Sequence, residues 1–266
     1  MASKKYLVIG NPIDHSLSPK LQNHWLKENN INATYDKIKL EKNQIKDFIE
    51  DIKKQKIAGC NVTVPFKKIV IPFLDKLSME AEKTQSVNTI IFDNGNLEGH
   101  NTDIVGFEKA VESLNYNMKG KKILILGAGG VVPSIIYALN KMKVSIINVS
   151  NRTKQNAENL KIQFNDLNIV DWGSLPQFDV IINATSLGLN NEKINLDFSN
   201  VGGNKLFYDV IYNPSETSFL KEGKKLGNQS ENGKLMFIYQ ASEAFKLWHG
   251  VEPKININTL KLLEND

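Results

Sequence analysis

Three groups of polar side chains stand where apolar runs of the first hundred residues end, and they carry the residue types needed for proton transfer and anion binding. They occupy residues 11–19, 61–67 and 99–103. Lys67 can donate or accept a proton, and Asp103 can hold the Lys67 side chain in place. The hydroxyls of Ser16 and Ser18 can bind a carboxylate. Because the ends of parallel strands share one crevice, we expect these groups to meet.

Two of these side chains also have simpler structural roles open to them. Ser18 stands directly before Pro19, and proline is favoured in the first turn of a helix, so the Ser18 hydroxyl would suit an N-cap. Lys67 follows Pro65 and could be a surface lysine on a helix. The residue types leave both interpretations open, and for Ser18 the two roles can coexist.

A second kind of chemistry is indicated by the apolar run at residues 123–126, which ends in the turn Gly127-Ala128-Gly129-Gly130. Glycines there let the backbone approach a pyrophosphate, and the helix that follows offers free N–H groups. This order of strand, turn and helix is the context that a dinucleotide fingerprint requires. Because Val132 occupies the third glycine position, a glycine turn without a ligand stays an alternative.

The segment Asn151-Arg152-Thr153-Lys154 stands about 20 residues after the glycine turn, where NAD-binding folds usually carry an acid that binds the ribose hydroxyls. A guanidinium at this place can bind the additional phosphate of NADP through parallel charged hydrogen bonds, and Lys154 adds a point charge. A solvated helix start is the alternative, but cations there oppose the helix dipole. The sequence therefore predicts NADP in preference to NAD.

The composition bounds the class of protein. With 266 residues, of which 41% are hydrophobic and 23% charged, the chain has the make-up of a globular protein of two domains. A net charge of +4 without a basic tract argues against nucleic-acid binding, and no segment approaches a signal peptide or a membrane span. The single cysteine, Cys60, excludes an internal disulfide, so we expect a cytoplasmic protein. The histidines lack metal-ligand spacing, which predicts no metal site.

Short β-rich runs alternate with amphipathic stretches in both halves of the chain, a pattern typical of βαβ units. The first half predicts elements at residues 5–9, 19–28, 34–40, 43–53, 57–64 and 87–92, with a turn at 93–96. A helix at 104–114 leads into the second half, which predicts elements at residues 121–126, 131–142, 144–149, 179–183, 206–210, 215–226 and 235–248. The boundary between two α/β domains is therefore expected near Thr102.

An ordered set of motifs resembles the shikimate dehydrogenase family, and it spans nearly the whole chain. The most telling member is NVTVPFK at residues 61–67. The others are GNPIDHSLSP at 10–19, VNT at 87–89, GHNTD at 99–103, GAGG at 127–130, NRT at 151–153, NATS at 183–186, and the stretches 208–214 and 240–250.

The resemblance implies reversible reduction of 3-dehydroshikimate to shikimate with NADPH, with Lys67 as the acid/base. It implies that Ser16 and Ser18 bind the carboxylate of the substrate. The carboxylate or the ring hydroxyls of the substrate would also contact Thr63, Asn88, Asp103, Tyr212 and Gln240. Hydride transfer to a ketone leaves negative charge on oxygen, and a nearby lysine can supply the proton. We interpret Asp103 mainly as positioning Lys67 and a substrate hydroxyl, with a direct share in proton transfer left open.

The cofactor site implied by the resemblance lies in the second half of the chain. It comprises Gly127, Ala128, Gly129, Gly130, Val131, Asn151, Arg152, Thr153, Lys154 and Asn156, with Val210 and Gly233 near the nicotinamide. Asn156 stands where relatives carry a second basic residue, and we assign that role to Lys154, which leaves room for a looser NADP preference. Leu235 replaces a glycine of the family pattern near the nicotinamide.

The predicted fold is α/β. A mostly parallel substrate domain covers residues 1–102, a Rossmann-type NADP-binding domain covers 103–239, and C-terminal helices at about 240–266 return to the first domain. Two other functions stay open: a quinate/shikimate dehydrogenase that prefers NAD, and a nicotinamide-binding regulator without turnover. The sequence leaves open whether the protein is a monomer or a homodimer.

Overall fold

The computed structural model describes residues 3–264, and the chain divides into two compact units. Unit 1 comprises Met1–Gly106 and Ile238–Asp266, and unit 2 comprises Phe107–Phe237. The strands, in chain order, are β1 Lys4–Gly10, β2 Ala33–Lys39, β3 Gly59–Val62, β4 Lys76–Leu77, β5 Thr89–Asp93, β6 Asn96–His100, β7 Lys122–Leu126, β8 Ile146–Ser150, β9 Leu167–Val170, β10 Val180–Asn183, β11 Leu206–Asp209 and β12 Gln229–Glu231. The helices are α1 Ser18–Glu28, α2 Ile45–Lys53, α3 Met79–Thr84, α4 Asp103–Ser113, α5 Val132–Lys141, α6 Lys154–Gln163, α7 Ser218–Lys225, α8 Lys234–His249 and α9 Ile257–Leu262.

The sheet of unit 1 has the strand order β2-β1-β3-β5-β6-β4. Strand β1 is parallel to both β2 and β3, whereas β5 is antiparallel to β3 and to β6. Two successive reversals make β6 run in the same direction as β3. The carboxyl ends of β1, β3 and β6 therefore lie at one edge of the sheet, together with the beginning of β5. Strand β1 is buried without interruption from Tyr6 to Gly10, as expected of a parallel strand covered on both faces.

The hairpin of β5 and β6 corrects the sequence analysis, which predicted a turn at 93–96 but no strand after it. Asn94 and Gly95 have φ values of 48° and 81°, which suits the tight turn that joins the two strands. An Asn-Gly pair between β-rich runs is a strong hairpin signal, and it could have revealed β6. The other elements that were not predicted are β4, α3, α6, β9 and β12, whereas α9 lies in the stretch where C-terminal helices were expected.

The C-terminal segment packs into unit 1. The Gln22 side chain donates to the carbonyl of Ala241 (3.0 Å), and the Trp25 indole donates to the carbonyl of Lys254 (3.2 Å). The ring of Trp25 also contacts Phe245, with ring centroids 5.9 Å apart. The last helices therefore complete the core around α1.

Replacing Gly59 with alanine is expected to lower the free energy of unfolding by about 1–3 kcal/mol. A Cβ at Gly59 would lie 2.4 Å from the indole nitrogen of Trp248, which donates to the carbonyl of Ile90 (3.1 Å). The indole would have to leave this bond and its position beside Tyr6. Thermal unfolding measures the effect, and Gly202→Ala is the control because nothing lies within 4 Å of a Cβ there. Equal stability of Gly59→Ala and wild type would contradict the predicted clash.

The sheet of unit 2 is entirely parallel over its paired strands, in the order β12-β11-β10-β7-β8-β9. Counted from β7 as the first strand, this is the order 3-2-1-4-5-6 of dinucleotide-binding folds. The order reverses between β7 and β10, so the crevice expected to bind a ligand lies outside the carboxyl ends of these two strands. In the part of the chain described here, no helix is long and apolar enough to span a membrane.

Candidate active site

Lys67 and Asp103 form an ion pair in unit 1, with Nζ of Lys67 2.5 Å from Oδ2 of Asp103. Their side chains are only 12% and 9% exposed. The backbone carbonyl of Lys67 accepts a hydrogen bond from the N–H of Val87 (2.9 Å), which ties this turn to the segment before β5. Lys67 lies in a turn and not on a helix, so the alternative of a surface lysine on a helix is wrong.

The carboxylate of Asp103 is fixed from both sides. Asp103 is the first residue of α4, and its backbone N–H donates to Oδ1 of Asn101 (3.2 Å). The side-chain amide of Asn88 donates to Oδ1 of Asp103 (2.9 Å), while Oδ2 receives Lys67. Asn88 can reach Asp103 because the antiparallel β5 begins at the edge where β3 and β6 end. A preorganised pair of this kind can hold a proton donor in one orientation.

Asn88 connects this pair to the C-terminal segment. Its side-chain nitrogen lies 3.4 Å from Oε1 of Gln240 on α8 and 2.9 Å from Oγ1 of Thr102. The N–H of Thr102 donates in turn to Oδ1 of Asn88 (2.8 Å). The structure thus brings Lys67, Asn88, Asp103 and Gln240 of the predicted substrate residues into one hydrogen-bonded cluster.

Ser16 lies in the loop after β1, Ser18 is the first residue of α1, and Thr63 follows β3 at the same edge. The N–H of Asn11 donates to the carbonyl of Val64 (2.9 Å), so the loops after β1 and β3 touch. The proposed capping role of Ser18 is wrong. Helix α1 begins at Ser18 itself with Leu17 as N-cap and no side-chain capping bond. The Ser18 side chain bonds Tyr35 instead.

Asn61 is a buried residue to which the sequence analysis assigned no role. Its Oδ1 accepts the hydroxyl of Tyr35 (2.6 Å), and its amide donates to the carbonyl of Asn88 (3.1 Å) and to Oγ1 of Thr89 (3.0 Å). Burial raises the pKa of the Tyr35 hydroxyl well above its usual value, which keeps it a neutral donor. An amide inside the fully buried strand β3 is the signal that could have singled out Asn61, since buried polar groups need partners.

Tyr212, another predicted substrate residue, belongs to unit 2. It follows β11 and stacks on Phe237, with ring centroids 4.5 Å apart and ring planes inclined by 22°.

The glycine turn of unit 2 has the geometry of a phosphate cradle. Gly127 has a φ of +109°, and a Cβ there would lie 2.7 Å from the carbonyl oxygen of Ala184 in the loop after β10. Its N–H donates to the carbonyl of Ser150 at the end of β8 (2.7 Å). Gly129 and Gly130 are exposed and Ala128 partly so, and Val131 is the N-cap of α5. The turn therefore leaves backbone open to a ligand at the start of a helix.

Asn151, Arg152 and Thr153 follow β8, and Lys154 and Asn156 lie in the first turn of α6. Arg152, Thr153, Lys154 and Asn156 are exposed. Nζ of Lys154 lies 2.8 Å from Oδ1 of Asp171, an acid that follows β9. The hydrogen bond to Asp171 raises the pKa of Lys154, and the same bond lowers the pKa of Asp171. The sequence analysis did not foresee this acidic partner.

Val210 and Gly233 lie against each other in unit 2. A Cβ at Gly233 would lie 2.1 Å from the carbonyl oxygen of Val210, so only glycine allows this approach. The N–H of Gly233 donates to the carbonyl of Ile211 (3.0 Å). Within residues 3–264 no group of three or more His, Cys, Asp or Glu side chains is arranged to hold a metal ion.

A dinucleotide-binding sheet in unit 2 and a lysine–carboxylate pair in unit 1 together define a nicotinamide-dependent oxidoreductase. The family profile "Shikimate dehydrogenase substrate binding domain" matches residues 8–90, and "Shikimate / quinate 5-dehydrogenase" matches residues 108–195. A curated relative from Pelagibacter ubique, "Shikimate dehydrogenase (NADP(+))", is 54% identical over 98% of this chain and 99% of its own length. The chain belongs to the shikimate dehydrogenase family.

Solved structures agree with this assignment. Shikimate dehydrogenase from Aquifex aeolicus has a TM-score of 0.90 and 36% identity, covering 99% of this chain and 98% of its own. Shikimate 5-dehydrogenase from Listeria monocytogenes, in complex with shikimate and NAD, has a TM-score of 0.89 and 28% identity, covering 98% and 96%. The family resemblance and the α/β fold with a Rossmann-type unit are confirmed, whereas the roles of single residues stay predictions.

Proposed function

We propose that this chain catalyses the reversible NADPH-linked reduction of 3-dehydroshikimate to shikimate, a step towards chorismate and the aromatic amino acids. The observation that carries the proposal is the largely buried Lys67–Asp103 pair, with Nζ and Oδ2 2.5 Å apart at the carboxyl edge of the unit 1 sheet. It supplies the proton chemistry of a ketone reduction. The curated NADP-dependent relatives supply the substrate class.

When bound, NADPH supplies a hydride to the carbonyl carbon of the substrate. Nζ of Lys67 donates a proton to the oxygen on which negative charge develops, and it takes the proton back in the reverse direction. Asp103 orients Lys67 through Oδ2, and Asn88 holds the other carboxylate oxygen. Asp103 is thus mainly a positioning residue for the proton donor, and it also accepts a hydrogen bond from a substrate hydroxyl.

The remaining residues bind the substrate. Ser16 donates to its carboxylate from the loop after β1, and Ser18 from the first residue of α1. The ring hydroxyls and the carboxylate also meet side chains with neutral donors and acceptors, which are Thr63, Asn88, Tyr212 and Gln240. Their polarity matches a small, hydroxylated acid.

The residues of unit 2 fit a dinucleotide with an additional phosphate. A Cβ would fill the space at Gly127, and the open turn through Val131 suits a pyrophosphate. Val210 and Gly233, whose backbones are in close contact, would lie near the nicotinamide. The exposed guanidinium of Arg152 would bind the 2′-phosphate, with Lys154 as a second cation. Asn151, Thr153 and Asn156 line the same segment.

Replacing Asp171 with asparagine is expected to lower KM for NADPH by about two- to fivefold and to change KM for NADH little. Asp171 neutralises Lys154 in the structure, and its own negative charge repels a phosphate. Steady-state kinetics at low salt measure the effect. Asp166→Asn is a matched control, because it removes the same charge at the opposite end of β9. An unchanged or higher KM for NADPH in Asp171→Asn would contradict the competition between Asp171 and the phosphate.

A quinate/shikimate dehydrogenase that prefers NAD is a second candidate. The Lys154–Asp171 pair favours it, because Asp171 weakens the positive potential around Arg152. The Listeria relative, solved with shikimate and NAD, shows that a family member accommodates NAD. For the compartment and assembly we propose a cytoplasmic monomer or homodimer, which fractionation and light scattering would test.

Steady-state rates with shikimate and quinate, each against NADP and NAD, test the proposal. We expect the highest kcat/KM for shikimate with NADP. A higher kcat/KM for quinate or with NAD would establish the second candidate instead. Tight NADPH binding without turnover of either substrate would indicate a nicotinamide-binding regulator.

A further inference from the structure

A buried carboxylate lies at the carboxyl edge of the unit 2 sheet. Asp209 is the last residue of β11, and it stands beside Asn183, the last residue of β10. Both are fully buried. Burial raises the pKa of Asp209, and hydrogen bonds from Thr217, Ile211 and Asn183 oppose this shift. Removing a carboxylate from water in this way costs free energy unless hydrogen bonds compensate for the lost hydration.

Three donors from three segments meet this carboxylate. The Asn183 side-chain amide (3.0 Å) and the N–H of Ile211 (3.0 Å) bond Oδ1, and the hydroxyl of Thr217 bonds Oδ2 (2.6 Å). Thr217 is the N-cap of α7, and its oxygen also accepts from the N–H of Leu220. Asp209 therefore ties the end of β10, the segment after β11 and the start of α7 to one point.

Asn183 extends the same arrangement into the loop after β10. Its Oδ1 accepts from the N–H (3.1 Å) and the hydroxyl (2.7 Å) of Thr185, and its amide also donates to the carbonyl of Leu187 (3.1 Å). The Thr185 hydroxyl oxygen accepts from the N–H of Leu187 (3.1 Å). We call Asp209, Asn183 and Thr217 with these bonds the Asp209 clamp.

The loop after β10 and the segment after β11, which the clamp holds, are in close backbone contact with Gly127 and Gly233 of the candidate cofactor site. The loop after β10 places the carbonyl oxygen of Ala184 where it would be 2.7 Å from a Cβ at Gly127. The segment after β11 places the carbonyl of Val210 where it would be 2.1 Å from a Cβ at Gly233. A loosened clamp would let both backbone segments move relative to the glycines.

We propose that Asp209, acting with Asn183, is a positioning residue for the dinucleotide, which fixes the backbone after β10 and β11 against Gly127 and Gly233 without touching the cofactor. This rests on the proposed cofactor site and is independent of the identity of the substrate. The geometry needs a hydrogen-bonding group on both sides of the Asp209 side chain, and not the negative charge itself. Asparagine retains one acceptor, and the Thr217 hydroxyl can rotate to accept from the new amide.

The test compares Kd for NADPH in wild type, Asp209→Ala and Asp209→Asn, measured without substrate at a temperature where each variant is folded. We expect Asp209→Ala to raise Kd by about tenfold or more and Asp209→Asn to remain within about threefold of wild type. Phe178→Leu is the matched control for lost stability, because Phe178 is a buried residue at the opposite end of β10. It is expected to lower the unfolding midpoint without changing Kd.

A Kd for Asp209→Ala within about twofold of wild type would overturn the proposal. So would a rise in Kd for Phe178→Leu as large as that for Asp209→Ala. If Asp209→Ala does not fold, Thr217→Val removes the donor to Oδ2 together with the N-cap acceptor of α7. A raised Kd supports the proposal and an unchanged one overturns it. Failure of the wild type to bind NADPH would instead defeat the proposed function, so the two failures are distinguishable.

Discussion

Replacing Lys67 with alanine is expected to lower kcat by on the order of a hundredfold to ten-thousandfold, the usual contribution of a positioned proton donor. Nζ of Lys67 bonds Oδ2 of Asp103, and Asn88 holds the other oxygen of that carboxylate. Without the amine, Asp103 and Asn88 remain, but neither replaces the proton donor at the developing alkoxide. Initial rates of NADP reduction by shikimate measure the loss.

Two companion measurements separate chemistry from folding. Removal of Lys67 leaves a buried carboxylate without its cation, so Lys67→Ala is also expected to lose stability. Lys67→Met keeps much of the side-chain volume and should lose kcat to the same extent. Lys68→Ala is the matched control, since Lys68 is an exposed lysine next in sequence. NADPH affinity should stay near the wild-type value, and near-normal turnover of Lys67→Ala would refute the acid/base role.

Replacing Arg152 with alanine is expected to raise KM for NADPH by on the order of tenfold to a hundredfold, with kcat and KM for NADH changed far less. The guanidinium is exposed after β8, at the edge where the 2′-phosphate of a dinucleotide would lie. Arg152→Ala removes the parallel charged hydrogen bonds to the phosphate. Lys154 compensates poorly because its ammonium group is already paired with Asp171. Kinetics with both cofactors at fixed ionic strength measure the selectivity.

Lys161→Ala provides the control for the loss of a positive charge, because Lys161 lies in the last turn of the same helix α6. Its KM for NADPH should change little at moderate ionic strength, where exposed charges are screened. Arg152→Lys should retain part of the affinity, since a lysine supplies charge without the fork geometry. An unchanged preference for NADPH over NADH in Arg152→Ala would contradict the phosphate contact.

Much of the fold could be predicted from local patterns. The apolar runs that became β1, β7 and β10 were recognised because strands buried on both faces are continuously hydrophobic. Short or polar elements such as β4, β12 and α6 escaped, since their patterns do not stand out from loops. The missed β6 had the largest consequence, because the reversal at β5 is what brings Asn88 to Asp103.

The candidate site divides in the same way. Gly127 and Gly233 could be identified as special from sequence, and the structure adds the carbonyl oxygens that exclude any other residue. The bonds from Ser18 to Tyr35 and from Lys154 to Asp171 could not be predicted, because an exposed or hydroxyl side chain chooses among partners that only the fold supplies. The same holds for the buried amide of Asn61.

The sequence by itself determined the two α/β halves, the glycine turn, the basic segment after β8 and the family to which the chain belongs. Only the tertiary structure decided that Lys67 and Asp103, 36 residues apart, share a hydrogen bond, and that Asn183 and Asp209, 26 residues apart, lie side by side. Backbone preference and hydrophobic periodicity act over a few neighbouring residues and are therefore readable along the chain. Contacts between strand ends depend on strand order and direction, which are set when the sheet assembles and its core is buried.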